Sequence, residues 1–337
     1  MLKKKHRTIP VFVPEMACPF RCIYCNQQVI TGQTALPSDE EIVETVEQYL
    51  KTMPEEAEVE VGFFGGTFTG IAKAEQERML RLVRPYLERG DVKSVRLSTR
   101  PDYIDEEIVA LLKAGGVGTV ELGVQSMDDE VLRKVHRGYD STRVREAVAC
   151  IQRAGMEAGM QMMIGLPGDT KEKSLATARE IVRIGATNTR IYPTLVVKET
   201  ALARMWERGE YEALSVEEAV DWCKDLLRLF EENGVTVLRV GLHPTEGFIS
   251  GTDYLAGPFH VAFKELVETE IMRDEILKAT EGMRGGRVRI AVGRRMVNAA
   301  AGHGGKNKKE LENRFTAVNI VADDGLEGYE VRVEAGE

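Results

Sequence analysis

Short apolar, β-branched runs alternate with longer segments whose apolar positions recur every three or four residues. The runs predict strands at Ile9–Val13, Val59–Phe64, Val95–Thr99, Thr119–Val124, Gly159–Ile164, Thr189–Tyr192 and Val235–Val240. The segments between them predict amphipathic helices at Ser38–Lys51, Glu75–Arg89, Asp105–Ala114, Thr142–Ala154 and Lys171–Ile184. Ser38, with Glu41 three residues on, has the spacing of a capping box. Strands that alternate with helices imply βαβ units and a parallel sheet. The number of units fits a partial or complete TIM-like (β/α) barrel better than a short doubly wound sheet.

Beyond residue 240 the pattern changes. Gly241–Phe259 is rich in Gly and Pro, and Val261–Ala279 reads as a helix. Val288–Val292, Phe315–Val321 and Tyr329–Val333 read as short strands flanking a Gly-rich loop at Ala301–Lys306. The expected division is a barrel over 1–240 and a C-terminal extension over 241–337. That extension would end in a small α+β unit, a candidate for substrate binding.

Composition narrows the class. The 337 residues are 43% hydrophobic and 29% charged, which is globular and excludes a mainly disordered chain. No run approaches the ~18 apolar residues of a membrane span. The basic start is followed by no apolar stretch, so a cytoplasmic protein without a secretory signal is expected. With 45 Lys+Arg against 54 Asp+Glu the net charge is −9, which argues against non-specific nucleic-acid binding. Arg284–Lys309 runs the other way, with eight Lys/Arg and no acidic residue. It reads either as a solvated face paired with acidic helices or as a docking surface for an anionic group.

The densest chemistry is Cys18-Pro19-Phe20-Arg21-Cys22-Ile23-Tyr24-Cys25, directly after the first predicted strand. Three thiolates so close in sequence can wrap one metal centre. An iron–sulfur cube usually takes four cysteines, so three would leave one iron open to a small chelating molecule. Zinc held by three Cys and another ligand is the alternative, although no partner pair or nearby His stands in the sequence. Cys150 and Cys223 fall inside predicted helices and read as small core residues, as do Met160, Met162 and Met163.

Further motifs follow consecutive predicted strands: Gly65-Gly66-Thr67-Phe68, Thr99-Arg100-Pro101-Asp102, Gly123-Val124-Gln125-Ser126, Gly165-Leu166-Pro167-Gly168 and Tyr192-Pro193-Thr194. In a barrel these lie on one face, where active-site loops collect. The ordered set resembles the radical S-adenosylmethionine (radical SAM) superfamily. Over roughly residues 8–200 it is similar to the radical SAM half of the elongator catalytic subunit and to oxygen-independent coproporphyrinogen oxidase-like proteins.

The resemblance implies a [4Fe-4S] cluster on Cys18, Cys22 and Cys25, with S-adenosylmethionine chelated to the fourth iron. It implies Gly65, Gly66 and Thr67 at the methionine amino group, Gln125 and Ser126 near the ribose or carboxylate, and Arg137 on the carboxylate. Tyr24, Gly165 and Leu166 would lie at the adenine, and Thr99 at the ribose. Arg100, Asp102, Tyr192 and His243 are the substrate-side candidates; Arg100 and Asp102 read equally as a structural ion pair.

The expected function is hydrogen abstraction from a small substrate by a 5′-deoxyadenosyl radical. A modified nucleobase fragmented in the manner of a queuine lyase is one concrete case. No basic N-terminal extension or acetyltransferase domain is recognised in the sequence, which favours a small substrate. The alternatives are a radical SAM enzyme acting on tRNA and, from another class, a non-catalytic zinc-binding module. The implied partner is a one-electron donor of the flavodoxin or ferredoxin type; no membrane partner is expected.

Overall fold

The computed structural model describes residues 6–14, 22–26, 35–54 and 56–336. Among these, six parallel strands pair in chain order: β1 (His6–Val13), β2 (Glu58–Gly65), β3 (Ser94–Thr99), β4 (Val117–Gln125), β5 (Glu157–Ile164) and β6 (Asn188–Pro193). A two-residue strand, β7 (Val196–Val197), belongs to a separate pairing. β8 (Thr236–Val240) then adds to β6 as the seventh strand. Among the described residues β1 and β8 do not pair, so the barrel is partial and open along one side.

The crossovers carry α1 (Asp39–Leu50), α2 (Lys73–Arg89), α3 (Glu106–Ala114), α4 (Asp129–Lys134), α5 (Ser141–Arg153), α6 (Lys171–Arg183), α7 (Ala201–Glu207) and α8 (Val216–Glu232). Their starts are written locally. Ser38 caps α1 through a reciprocal bond with Glu41, Ser215 and Glu218 repeat the box at α8, and Asp105, Asp128, Asp140 and Thr170 cap α3 to α6.

Strand alternation separates two faces. Ile9, Val11, Val13, Val61, Phe63, Leu97, Leu122, Met160, Met162 and Ile191 pack against the helices in the main core. Opposite them the barrel interior is polar. Glu121, 1% exposed, receives Arg96 Nη1 at 2.9 Å, Arg190 Nε at 2.7 Å and Gln161 Nε2 at 2.9 Å. Arg96 also reaches Glu60 at 3.0 Å, and Glu60 meets His6 at 2.8 Å. No local sequence signal foretells this network. Met163, expected in the same core as its neighbours, faces the other way and packs against Cys22, Ile23 and Tyr24.

The network sets an acid-side stability. Burial opposes charge on Glu60, but hydrogen bonds from His6 and Ser94 and the charge of Arg96 outweigh it and hold the carboxyl at about 2. Because the folded value lies below the unfolded 4.5, this contribution is complete above pH 4.5 and is lost as pH falls toward 2. Glu60→Gln should therefore flatten the decline of the urea midpoint across that window. An unchanged slope would remove Glu60 as its source.

Past β8 come α9 (Glu246–Ile249), β9 (Tyr254–Ala256), antiparallel to β7, and α10 (Phe263–Ala279). The helix expected from Val261 begins two residues later; Val261 itself is exposed. Phe263, Val267 and Ile271 of α10 belong to the main core, while Met272 and Ile276 enter a separate C-terminal core. The latter lies under a three-stranded sheet, order β11-β10-β12, of β10 (Arg287–Val292), β11 (Ala317–Ala322) and β12 (Val331–Gly336). The segment expected to be a plain Gly-rich loop at Ala301–Lys306 is the turn between two short helices, α11 (Val297–Ala301) and α12 (Lys306–Glu312). Several cations of the basic run are paired at the surface: Arg289 with Glu334, Arg294 with Asp324, and Lys306 with Glu270 of α10.

Candidate active site at the strand ends

The cysteine segment sits at the C-terminal end of the strands. Cys25 N–H turns back to Cys22 O at 3.0 Å, Ile23 N–H donates to Val135 O, and Leu202 N–H donates to Ile23 O at 2.7 Å. The segment is thus anchored between the α4–α5 connection and α7. Cys22 and Tyr24 are buried in one apolar cluster with Leu166 and Val196. Cys18 lies outside the described residues. Among the described residues no three His, Cys, Asp or Glu gather as a metal site.

Two buried guanidiniums converge on Cys22. Arg137 Nη1 lies 3.2 Å from its Sγ, and Arg100 Nη1 lies 3.8 Å away. Arg137 also donates to Tyr24 Oη at 3.2 Å, to Gly123 O and to Tyr139 Oη at 2.6 Å, while Tyr139 donates to Gly123 O at 2.6 Å. Arg100 is held in a two-point pair by Asp102, at 2.9 and 2.8 Å, and donates to Arg137 O. Arg100 and Asp102, expected to meet substrate or to form an ion pair, form that pair. Arg100 is only 3% exposed, with its Nη1 directed at Cys22. Neither this orientation nor Tyr139 is legible in the sequence; the polar triplet Arg137-Gly138-Tyr139 ahead of the α5 cap is the only local hint.

Gln125 ends β4 at a bulge with φ +67°, a left-handed conformation unusual for a residue with a side chain. Its Oε1 is buried and, among the described residues, without a hydrogen-bond partner. A Cβ at Gly123 would stand 3.0 Å from Gln125 Nε2 and 3.4 Å from Arg137 Nη2, a tight fit against both side chains. Gly65 (φ +108°) and Gly66 lie across the mouth, the latter donating to Val13 O at 2.7 Å, with Thr67 buried behind them.

Two expected contacts sit elsewhere. Thr99 bonds the Thr69 hydroxyl at 2.6 Å on the helix-facing side of β3; alternation gives the interior to Ser98, which accepts from Gln161 at 3.1 Å. Ser126 accepts from Asp128 N–H at 3.1 Å and lies 3.4 Å from Thr177 of α6, which makes it part of the turn into α4. Gly165 (φ +71°) accepts from Tyr211 Oη at 2.6 Å and donates to Asp169, whose carboxyl burial raises to about 6. Tyr192, one residue before the end of β6, lies beside Arg190, and burial raises its hydroxyl pKa. His243 follows β8, its pKa lowered by burial and by the nearby Arg239. Cys150 and Cys223 are core residues, and burial raises the pKa of both thiols.

The donor set fits an iron–sulfur cluster with a chelated cosubstrate. Cationic N–H donors directed at a cysteine sulfur are the kind of contact that tunes such clusters. The orphaned Gln125 Oε1, in a strained backbone at the same strand ends, is a polar atom awaiting a partner.

Comparison with known families agrees. The Radical SAM superfamily model matches residues 15–181, and the Radical_SAM C-terminal domain model matches residues 187–273. The chain belongs to the radical SAM superfamily. That membership brings a [4Fe-4S] cluster, S-adenosylmethionine and a need for an external reductant. Among curated relatives, a tRNA uridine(34) acetyltransferase of Dehalococcoides mccartyi is 27% identical over 252 residues, 62% of this chain and 54% of its own length. The corresponding Methanocaldococcus infernus protein is 29% identical over 201 residues, 52% of this chain and 37% of its own. The chain thus spans about half, or less, of the length of these two relatives.

Among solved structures, the archaeal Methanocaldococcus infernus Elp3 with an N-terminal deletion aligns at TM-score 0.65 and 20% identity, covering 83% of this chain and 68% of that one. Coproporphyrinogen III oxidase (HemN) from Escherichia coli aligns at 0.50 and 18%, covering 79% and 59%. These likenesses establish the fold. Among the described residues of this radical SAM chain, no helix is long and apolar enough to cross a membrane.

Proposed function

We propose that this radical SAM enzyme acts on a base of tRNA. Cys18, Cys22 and Cys25 hold the cluster; Arg137, Gln125 and the Gly65–Thr67 turn receive the amino and carboxylate groups of S-adenosylmethionine. Tyr24, Gly165 and Leu166 form the apolar wall for its adenine. When bound, the cluster and its cosubstrate supply a 5′-deoxyadenosyl radical after one-electron reduction. The chain's own residues orient the two groups and keep water from them. Tyr192, near the end of β6, and His243, just past the edge strand β8, are the groups that meet the substrate, and residues 241–337 form the extension that helps to hold it.

The observation that carries the chemistry is the convergence of Arg100 and Arg137 on Cys22 at the strand ends. The choice of tRNA over a free nucleobase is supported by curated relatives named for tRNA uridine modification. Anaerobic, reduced protein with S-adenosylmethionine should release 5′-deoxyadenosine faster when bulk tRNA is added, by about tenfold or more, as expected when substrate contacts help to drive the chemical step. Stimulation by a free 7-deazapurine base and none by tRNA would overturn this reading in favour of small-molecule fragmentation.

A further inference from the structure

The C-terminal sheet carries a device that the radical chemistry does not use. Its strands β10 and β11 are parallel neighbours, joined by α11, the turn Gly302-His303-Gly304-Gly305 and α12. A strand–helix–helix–strand unit with Gly-x-x-Gly between the helices is the arrangement in which KH-type modules clamp the backbone of about four nucleotides of a single strand. The glycines allow the sugar–phosphate chain to approach bare main chain.

The turn has the required shape. Gly302, Gly304 and Gly305 take φ of +83°, +61° and +76°. A Cβ at Gly302 would fall 2.9 Å from Asn307 Cγ, whereas one at Gly304 would meet nothing within 4 Å. Asn307, 2% exposed, fastens the turn from below: its Nδ2 donates to Thr269 O at 2.9 Å and Ala299 O at 3.2 Å, and its Oδ1, beneath Gly302, has no partner among the described residues. The outer side is thereby left to His303 and Gly304, both exposed.

The surroundings suit a polyanion. Arg294, Arg295, Lys306, Lys308 and Lys309 are exposed around the turn. The pair Arg294–Asp324 is solvent-exposed on both sides, so a phosphate can replace its carboxylate at little cost, while Lys306 is exposed and pairs with the half-buried Glu270. Val297 of α11 and Val318 and Ile320 of β11 are half-buried and pack against the C-terminal core.

The turn also stands beside the barrel mouth. The His303 ring meets His260 edge-on at 5.4 Å between centroids, and His303 N–H donates to Thr269 of α10 at 3.1 Å. His260 lies between α10 and β9, and β9 pairs with β7 just past the C-terminal end of β6.

We propose that Gly302–Gly305 is a clamp for single-stranded RNA that sets a nucleotide at the barrel mouth; the mouth half of the proposal rests on the tRNA reading above. The test is fluorescence anisotropy of the full-length protein with a short labelled single-stranded RNA, the same sequence as DNA, and its duplex, at low salt. Wild type should prefer the single-stranded RNA. The double variant His303→Asp/Gly304→Asp should lose about tenfold or more in affinity, because it places carboxylates where phosphates would lie. Asp tolerates the left-handed conformation at Gly304, and thermal unfolding reports whether the fold is kept. Lys308→Glu/Lys309→Glu, on the exposed side of α12, should weaken binding in the same direction.

Equal affinity of wild type and both variants, or a preference for duplex, would overturn the clamp; equal or tighter binding of DNA would overturn its assignment to RNA. Loss of oligonucleotide binding in the variants without any tRNA stimulation of wild type would leave the clamp standing and remove the tRNA reading. Equal stimulation of wild type and variants by tRNA would do the reverse.

Discussion

Cys22→Ala should abolish release of 5′-deoxyadenosine and sharply lower the iron content of anaerobically isolated protein. The variant removes one of the three thiolates proposed to hold the cluster, and it removes the sulfur toward which Arg100 and Arg137 are directed. Both guanidiniums are buried, so without that sulfur they face a cavity with part of their donor capacity unmet. Loss of activity should therefore be accompanied by some loss of stability. Cys223→Ala is the matching control. It removes a thiol from the core beneath α8, far in sequence from any strand-end motif, and should cost modest stability while release persists. Sustained release from Cys22→Ala, measured chromatographically under reduction, would end the assignment of the cysteine segment.

Glu121→Gln is expected to be the most destabilising single change in the barrel interior. The carboxylate is shared by Arg96, Arg190 and Gln161, and its replacement leaves two guanidiniums in a nearly dry interior without their common counter-charge. Removing one partner of such a buried network costs about 3–5 kcal/mol. The effect should appear as a large drop in the denaturant midpoint at neutral pH. A change of less than about 1 kcal/mol, the range of exposed pairs, would mean that water reaches the network. The consequence for function is positional. The network ties β2, β3, β4 and β6 together across the interior, below the strand ends that hold the site.

Much of the architecture is written in short-range patterns. The strand β1 is legible because Ile9–Val13 is a short apolar, β-branched run, and β2 to β6 and β8 are found to within a few residues from runs of the same kind. The capping box Ser38–Glu41 fixes the start of α1 through bonds three residues apart, which any sequence window contains. The placement of Gly65, Gln125 and Gly165 at strand ends follows from those strands, since a parallel barrel brings its C-terminal ends to one face.

Other features needed the chain to close. Thr99 and Ser98 differ by one residue, and only the pleat of β3 among its neighbours decides which of them faces the interior. Arg100 and Arg137 meet Cys22 from 78 and 115 residues away, and Glu121 gathers partners from 25 to 69 residues distant. Periodicity and capping are local energies and can be read locally. Which charges share a buried space depends on strand order, register and barrel curvature together, and these are properties of the folded sheet. The sequence by itself therefore determined the elements, the strand-end motifs and the spacing of the cysteine segment. Tertiary structure alone decided which guanidiniums meet Cys22, which charges close the interior, and that His303 of the Gly302–Gly305 turn meets His260.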